Sequence, residues 1–138
     1  MATGIGRLAR LDAMSDLDFH SSYRVFAEAL EMLAAEADQQ CEAMGDFNVA
    51  WELKDDAQAG KYLIGQGHLD AAQEAWISTV VCALDAVPAD TLPAGAGRES
   101  NLAAMRHPSW VPIRALVASA LDALSAATAG NARYLGLQ

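Results

Sequence analysis

From Phe19 to Met44 the apolar residues recur every three or four positions, and this spacing constrains the fold more than any other feature of the chain. At 100° per residue Phe19, Tyr23, Phe26, Leu30, Leu33, Ala37, Cys41 and Met44 fall within about 80° of one another, a single stripe that a partner element must cover. Ser15 and Asp16 are cap-type residues just before the repeat, and Gly45 stands just after it. The spacing therefore predicts one long helix from about Leu17 to Met44.

The helical period continues downstream. Asp46 can cap a second segment through Phe47, Ala50, Trp51 and Leu53, which Gly60 ends or bends. Gly65 and Gly67 mark a turn. A third helix is predicted from about Leu69 to Ala86, with Leu69, Ala72, Trp76, Ile77, Val80, Leu84 and Val87 on its inner side and Pro88 as its stop. Residues 88–100, with two prolines and two glycines, read as a loop, followed by a short turn near Asn101 to Met105. Ser109 can cap a last helix with Pro112 in its first turn, closed by Gly130, and the tail carrying Tyr134, Leu135 and Leu137 is expected to dock back on the body.

The resulting expectation is an all-α fold: an irregular antiparallel bundle of about four main helices in one domain over 1–138, with 1–14 as a flexible start. At 138 residues and 53% hydrophobic content a self-sufficient core is feasible, since a chain near this size buries about 68% of its unfolded surface. No apolar run approaches the roughly 18 residues of a membrane span, and residues 1–12 lack the apolar stretch of a signal peptide, so a cytoplasmic protein with no membrane partner is expected. Cys41 and Cys82 sit among apolar residues and read as small core side chains.

Charge is the second strong signal. Residues 12–56 hold twelve of the eighteen acids and only two bases, Arg24 and Lys54, a formal −10 against −9 for the whole chain. On one continuous helix Glu31, Asp38 and Glu42 group within about 40°. Past it, Glu52, Asp55 and Asp56 lie within about one turn beside Trp51, where an incoming Arg or Lys would meet several carboxylates at once. A field of this sign attracts cationic partners and repels phosphates, which opposes nucleic-acid binding. The quieter reading makes Phe47 and Trp51 core residues and the acids a solvated face.

Signals for catalysis and metals are weak. No GxSxG, phosphate loop, HExxH, CxxC or Glu-x-x-His pair occurs, and Glu28 with Glu31 reads as solvated surface, so neither metal nor cofactor is expected. His20, His68 and His107 sit at a helix start, a glycine turn and before a proline, positions of exposed or capping histidines. In His107-Pro-Ser-Trp-Val-Pro-Ile-Arg114 two prolines bracket a tryptophan, which builds a rigid helix entry or offers Trp110 and Arg114 as interface anchors.

In size and charge, though on no specific motif, the chain resembles immunity proteins and other inhibitors that neutralise cationic toxins or nucleases. That resemblance implies a non-catalytic binding protein that occludes a partner's basic surface. The acidic face would comprise Glu31, Asp38, Glu42, Asp46, Trp51, Glu52, Asp55 and Asp56. A helical adaptor or homodimer built on Tyr23, Trp76 or Trp110 is the second reading, and an enzyme of unknown class the third.

Overall fold

Ser15 Oγ accepts the Asp18 N–H at 3.1 Å and starts helix α1, Asp16–Ala34, with Asp16 and Asp18 in the first turn where acids favour the helix dipole. The computed structural model, which describes residues 14–137, is all-α, with seven α-helices among the described residues. After α1 come α2 (Ala37–Ala43), α3 (Val49–Gln58), a 3₁₀ turn (Ala59–Leu63), α4 (Ala71–Leu84), α5 (Arg98–Met105), α6 (Trp110–Ala123) and α7 (Ser125–Leu135). The expected flexible start falls, up to residue 13, outside the described residues.

α1 is the central packing element. Its Phe19, Tyr23, Phe26, Leu30 and Leu33 are buried and join one core with residues of α3, α4 and α6, including Leu53, Ile77, Val80, Trp110, Ile113 and Val117. Gly60 lets the 3₁₀ turn approach closely: a Cβ there would collide with the Phe26 ring and lie 3.2 Å from Ile77 Cγ2.

The expected four main helices become seven because two of them are broken and the short turn expected near Asn101 to Met105 is a helix, α5. The predicted helix 17–44 stops at Ala34. Ala35 (ψ 170°) and Glu36 (ψ 157°) are extended, and α2 starts afresh with Gln39 Oε1 accepting the Glu36 N–H. The fracture is held from a distance. Buried Gln40 donates through Nε2 to the Met32 and Leu33 carbonyls at 3.0 and 3.3 Å. Arg114 of α6 donates to the Ala35 carbonyl (3.2 Å), the Met105 carbonyl (2.6 Å) and Gln40 Oε1 (3.1 Å). The carbonyls that a helix end leaves without partners are thus satisfied by side chains. The inner face survives the break, since Ala37 and Cys41 remain buried.

The last helix is likewise split at Leu124, α6 and α7 meeting at 65°. Gly130, expected as a stop, lies inside α7, and Gly136 (φ +71°) ends it. Much of the expected docking tail, Asn131 to Leu135, is therefore helix. In 107–114 the structural account holds. Trp110 is buried with its Nε1 on the Ala104 carbonyl at 3.0 Å, and Arg114 is engaged by the three internal acceptors above. Cys41 is buried as expected, whereas Cys82 is exposed on the outer side of α4. No single helix among the described residues is long and apolar enough to cross a membrane.

Leu30→Ala is expected to cost about 2 to 5 kcal/mol, because the site is fully enclosed and cannot collapse around the lost methyl groups. Urea unfolding followed by circular dichroism checks it. Arg114→Met should cost about 2 to 4 kcal/mol by stranding three acceptors, and Arg114→Lys should recover little, since one ammonium cannot replace the forked guanidinium. Equal stability of Arg114→Met and the parent would show that water satisfies those carbonyls.

Candidate functional site

The acid-rich segment between α2 and α3 is shaped by a clasp with residues 95–101. Gly45, Asp46 and Asn48 all have positive φ (+74°, +54°, +46°), which folds the connector back on itself. Gly97 N–H donates to the Asp46 carbonyl, and Asn48 exchanges two bonds with Gly95. Buried Asn101 closes the clasp: its Oδ1 accepts the Val49 N–H at 2.9 Å, and its Nδ2 donates to the carbonyls of Asp46, Gly95 and Gly97. Two expectations change here. Asn48, not Asp46, precedes the helix, and the predicted loop 88–100 ends at Gly97, where α5 begins.

This clasp pairs the Phe47 backbone with Ala96 and leaves the Phe47 side chain 53% exposed. Trp51, one turn further on, is 46% exposed. Neither is a core residue. Trp51, Lys54, Asp55, Gln58, Ala89 and Asp90 line a cleft of about 200 Å³ between α3 and the chain after α4. Lys54 Nζ is bonded to the Val87 carbonyl at 2.7 Å, and Gln58 Nε2 bridges to the Val81 carbonyl and to Asp85 Oδ1. Asp55 is exposed, while Glu52 and Asp56 are half-buried on the same helix. Burial, then the neighbouring Glu52 and Asp55 charges, push the Asp56 carboxyl above the usual aspartate range.

The eight expected site residues do not form one face. Asp38 pairs with Arg106 at 2.7 Å and Asp46 with Arg98 at 2.6 Å, so two carboxylates of the expected acidic face are paired within the chain. Glu42 stays exposed near Arg98. Glu31 stands elsewhere, in a cleft with Tyr23, Thr128 and Leu137, because the break after Ala34 destroys the helical phase that linked it to Asp38 and Glu42. Trp51, Glu52, Asp55 and Asp56 are brought together. Asp85 and Asp90 were missed: they reach this region only because the α4–α5 connection folds over α3, and no local pattern announces that.

A second polar cluster joins α1 to α7. His20 Nδ1 lies 2.6 Å from Asn131 Oδ1, and its ring stacks on Tyr134 at 3.9 Å, so this histidine is a packing residue. His68 stacks on Phe19 at 4.2 Å, with Nε2 3.2 Å from Asp16. His107 accepts the Ser109 N–H in the turn before α6. Among the described residues no three His, Cys, Asp or Glu side chains converge as metal ligands. Tyr23 and Trp110, expected at a symmetric interface, are buried, and Trp76 is half-buried.

No protein-family model matches the chain, and neither a curated protein nor a solved structure matches it.

The Asp56 shift has a definite sign. A raised pKa in the folded state means that folding disfavours the ionised carboxylate, so the group opposes stability above its folded pKa, and this cost fades as pH falls toward the unfolded value. Asp56→Asn is therefore expected to raise Tm at pH 7, with the gain shrinking as the pH is lowered through the carboxylate range. Thermal melts of both proteins at stepped pH check this. A gain that grows toward acid pH would reverse the assignment.

Proposed function

We propose that this chain is a non-catalytic binding protein whose Phe47 to Asp56 face receives a basic surface of a protein partner. The role would be that of an inhibitor or immunity-type protein acting by occlusion. One observation carries the reading: Phe47 and Trp51 stand half in water beside the Glu52, Asp55 and Asp56 carboxylates, and the neighbouring Lys54 ammonium is bonded to a backbone carbonyl. Exposed aromatic side chains are the residue types that supply binding energy at the centre of an interface. Surrounding carboxylates accelerate encounter with a cationic partner and repel anionic ones. The face is narrower than the sequence suggested, since Asp38 and Asp46 already have internal partners and Glu31 points elsewhere.

An inhibitor of this kind is expected beside the gene of a larger protein with a basic domain. Co-expression of the two chains should yield a complex in which that partner's activity is lost. Reversing Glu52 and Asp55 to Lys should slow association at least about tenfold at low ionic strength, with the difference shrinking as salt screens the approach. The same net change at Asp18 and Asp122, exposed on α1 and α6, should leave association near the parent rate. Trp51→Ala should instead accelerate dissociation. Stopped-flow association and dissociation rates measure these effects, with circular dichroism confirming that each variant stays helical. Equal association rates for the two double reversals would remove the α3 face from the interface.

A further inference from the structure

The cleft beside Trp51 is small and chemically mixed. Its volume of about 200 Å³ lies below the roughly 300 to 1,000 Å³ of small-molecule pockets, which suits one side chain better than a cofactor. Trp51 supplies an aromatic wall that is 46% exposed. Asp55 comes from the same helix, whereas Ala89 and Asp90 come from the connection after α4. Both carboxylates stand at exposed positions.

The charges here are unevenly spent. Asp38 and Asp46 have Arg106 and Arg98 as partners, but among the described residues neither Asp55 nor Asp90 forms an ion pair. Lys54, the cation of the cleft itself, directs its Nζ to the Val87 carbonyl at 2.7 Å. Gln58 gives its Nε2 to the Val81 carbonyl and to Asp85 Oδ1. Two carboxylates against one ammonium leave the cleft with one negative charge in excess, which a single incoming monocation cancels.

The lining also selects among cations. A divalent metal fits poorly, since among the described residues no three His, Cys, Asp or Glu side chains converge and the Lys54 ammonium stands in the cleft. Arginine fits well. Its planar guanidinium carries five N–H donors in a fixed fork, enough to serve carboxylates from two elements, and it stacks on an indole face. Lysine offers a compact, strongly hydrated point charge that gains less from the indole.

We infer that this cleft is an arginine site, in which a guanidinium is held by Asp55 and Asp90 and lies against the Trp51 ring. For the source of that arginine the inference rests on the proposed partner surface at α3: the side chain projects from the partner's basic face.

Titration of the isotope-labelled chain with N-acetyl-L-arginine amide, followed by NMR at the Trp51 indole N–H, tests it. Trp51→Phe identifies the resonance, and the buried Trp110 indole on the Ala104 carbonyl is an internal control. The expected result is a saturable shift at Trp51 in the millimolar range and none at Trp110. N-acetyl-L-lysine amide, of the same charge, should bind at least about threefold more weakly. Asp90→Asn should weaken arginine binding about two- to fivefold. Glu99→Gln, the same charge change at an exposed position outside the cleft, should leave it at the parent value, with circular dichroism unchanged in both variants. A Trp51 shift that never saturates, equal affinity for the two amides, or equal effects of Asp90→Asn and Glu99→Gln would overturn the inference, even where co-expression captures a basic partner. Selective arginine binding without a captured partner would uphold the cleft and remove the partner reading.

Discussion

Helix α1 ends in the middle of the molecule, and its last carbonyl groups must find hydrogen-bond donors there. Gln40 and Arg114 supply them, and much of the architecture is arranged around that need. Gln40 folds back from α2 onto Met32 and Leu33, which sets the angle between the two helices. Arg114 reaches from α6 to Ala35 and also to Met105, the last residue of α5, so one guanidinium serves the ends of two helices. Cations are favoured at that end of a helix, where the peptide dipoles leave partial negative charge. Its planar donor set also holds Gln40 Oε1, tying the node together. Trp110, one turn before Arg114, anchors the same helix through the Ala104 carbonyl.

The surface at α3 is a by-product of a similar device. Three consecutive connector positions have their backbones committed to residues 95–97, and Asn101 saturates the junction from inside. With its backbone paired to Ala96, Phe47 has no route into the core. Lys54 and Gln58 then tether the chain after α4 across α3, bringing Asp85 onto Gln58 and Asp90 into the cleft with Trp51. The cleft that holds Trp51 and Asp55 is thus completed by Asp90 from a distant stretch of chain. The proposed partner contact thus rests on loops clasped together.

The fold class was legible because helical periodicity is a local property: Phe19, Tyr23, Phe26, Leu30 and Leu33 face the core as their spacing requires. Caps were legible for the same reason at Ser15, and turns at Gly45, Gly65 and Gly67, whose φ values are all positive. The break at Ala35 and Glu36 was not, since Ala-Ala-Glu-Ala contains only good helix formers and its competitors, Gln40 and Arg114, act through space. For the candidate site, the grouping of Trp51, Glu52, Asp55 and Asp56 followed from their closeness in sequence, while Glu31, Asp38 and Glu42 were joined by a helical phase that the break abolishes.

By itself the sequence determined the all-α class, the inward face of α1 and the strong negative bias of residues 12–56, because composition and period need no knowledge of distant neighbours. Only the tertiary structure decided how much of that charge remains available and where the aromatic side chains stand. Arg98 and Arg106 neutralise Asp46 and Asp38 across 52 and 68 residues, and Phe47 is turned outward by a loop 49 residues away. Coulomb attraction and hydrogen bonding depend on distance in space, and a linear pattern does not carry that distance until the core has brought the segments together.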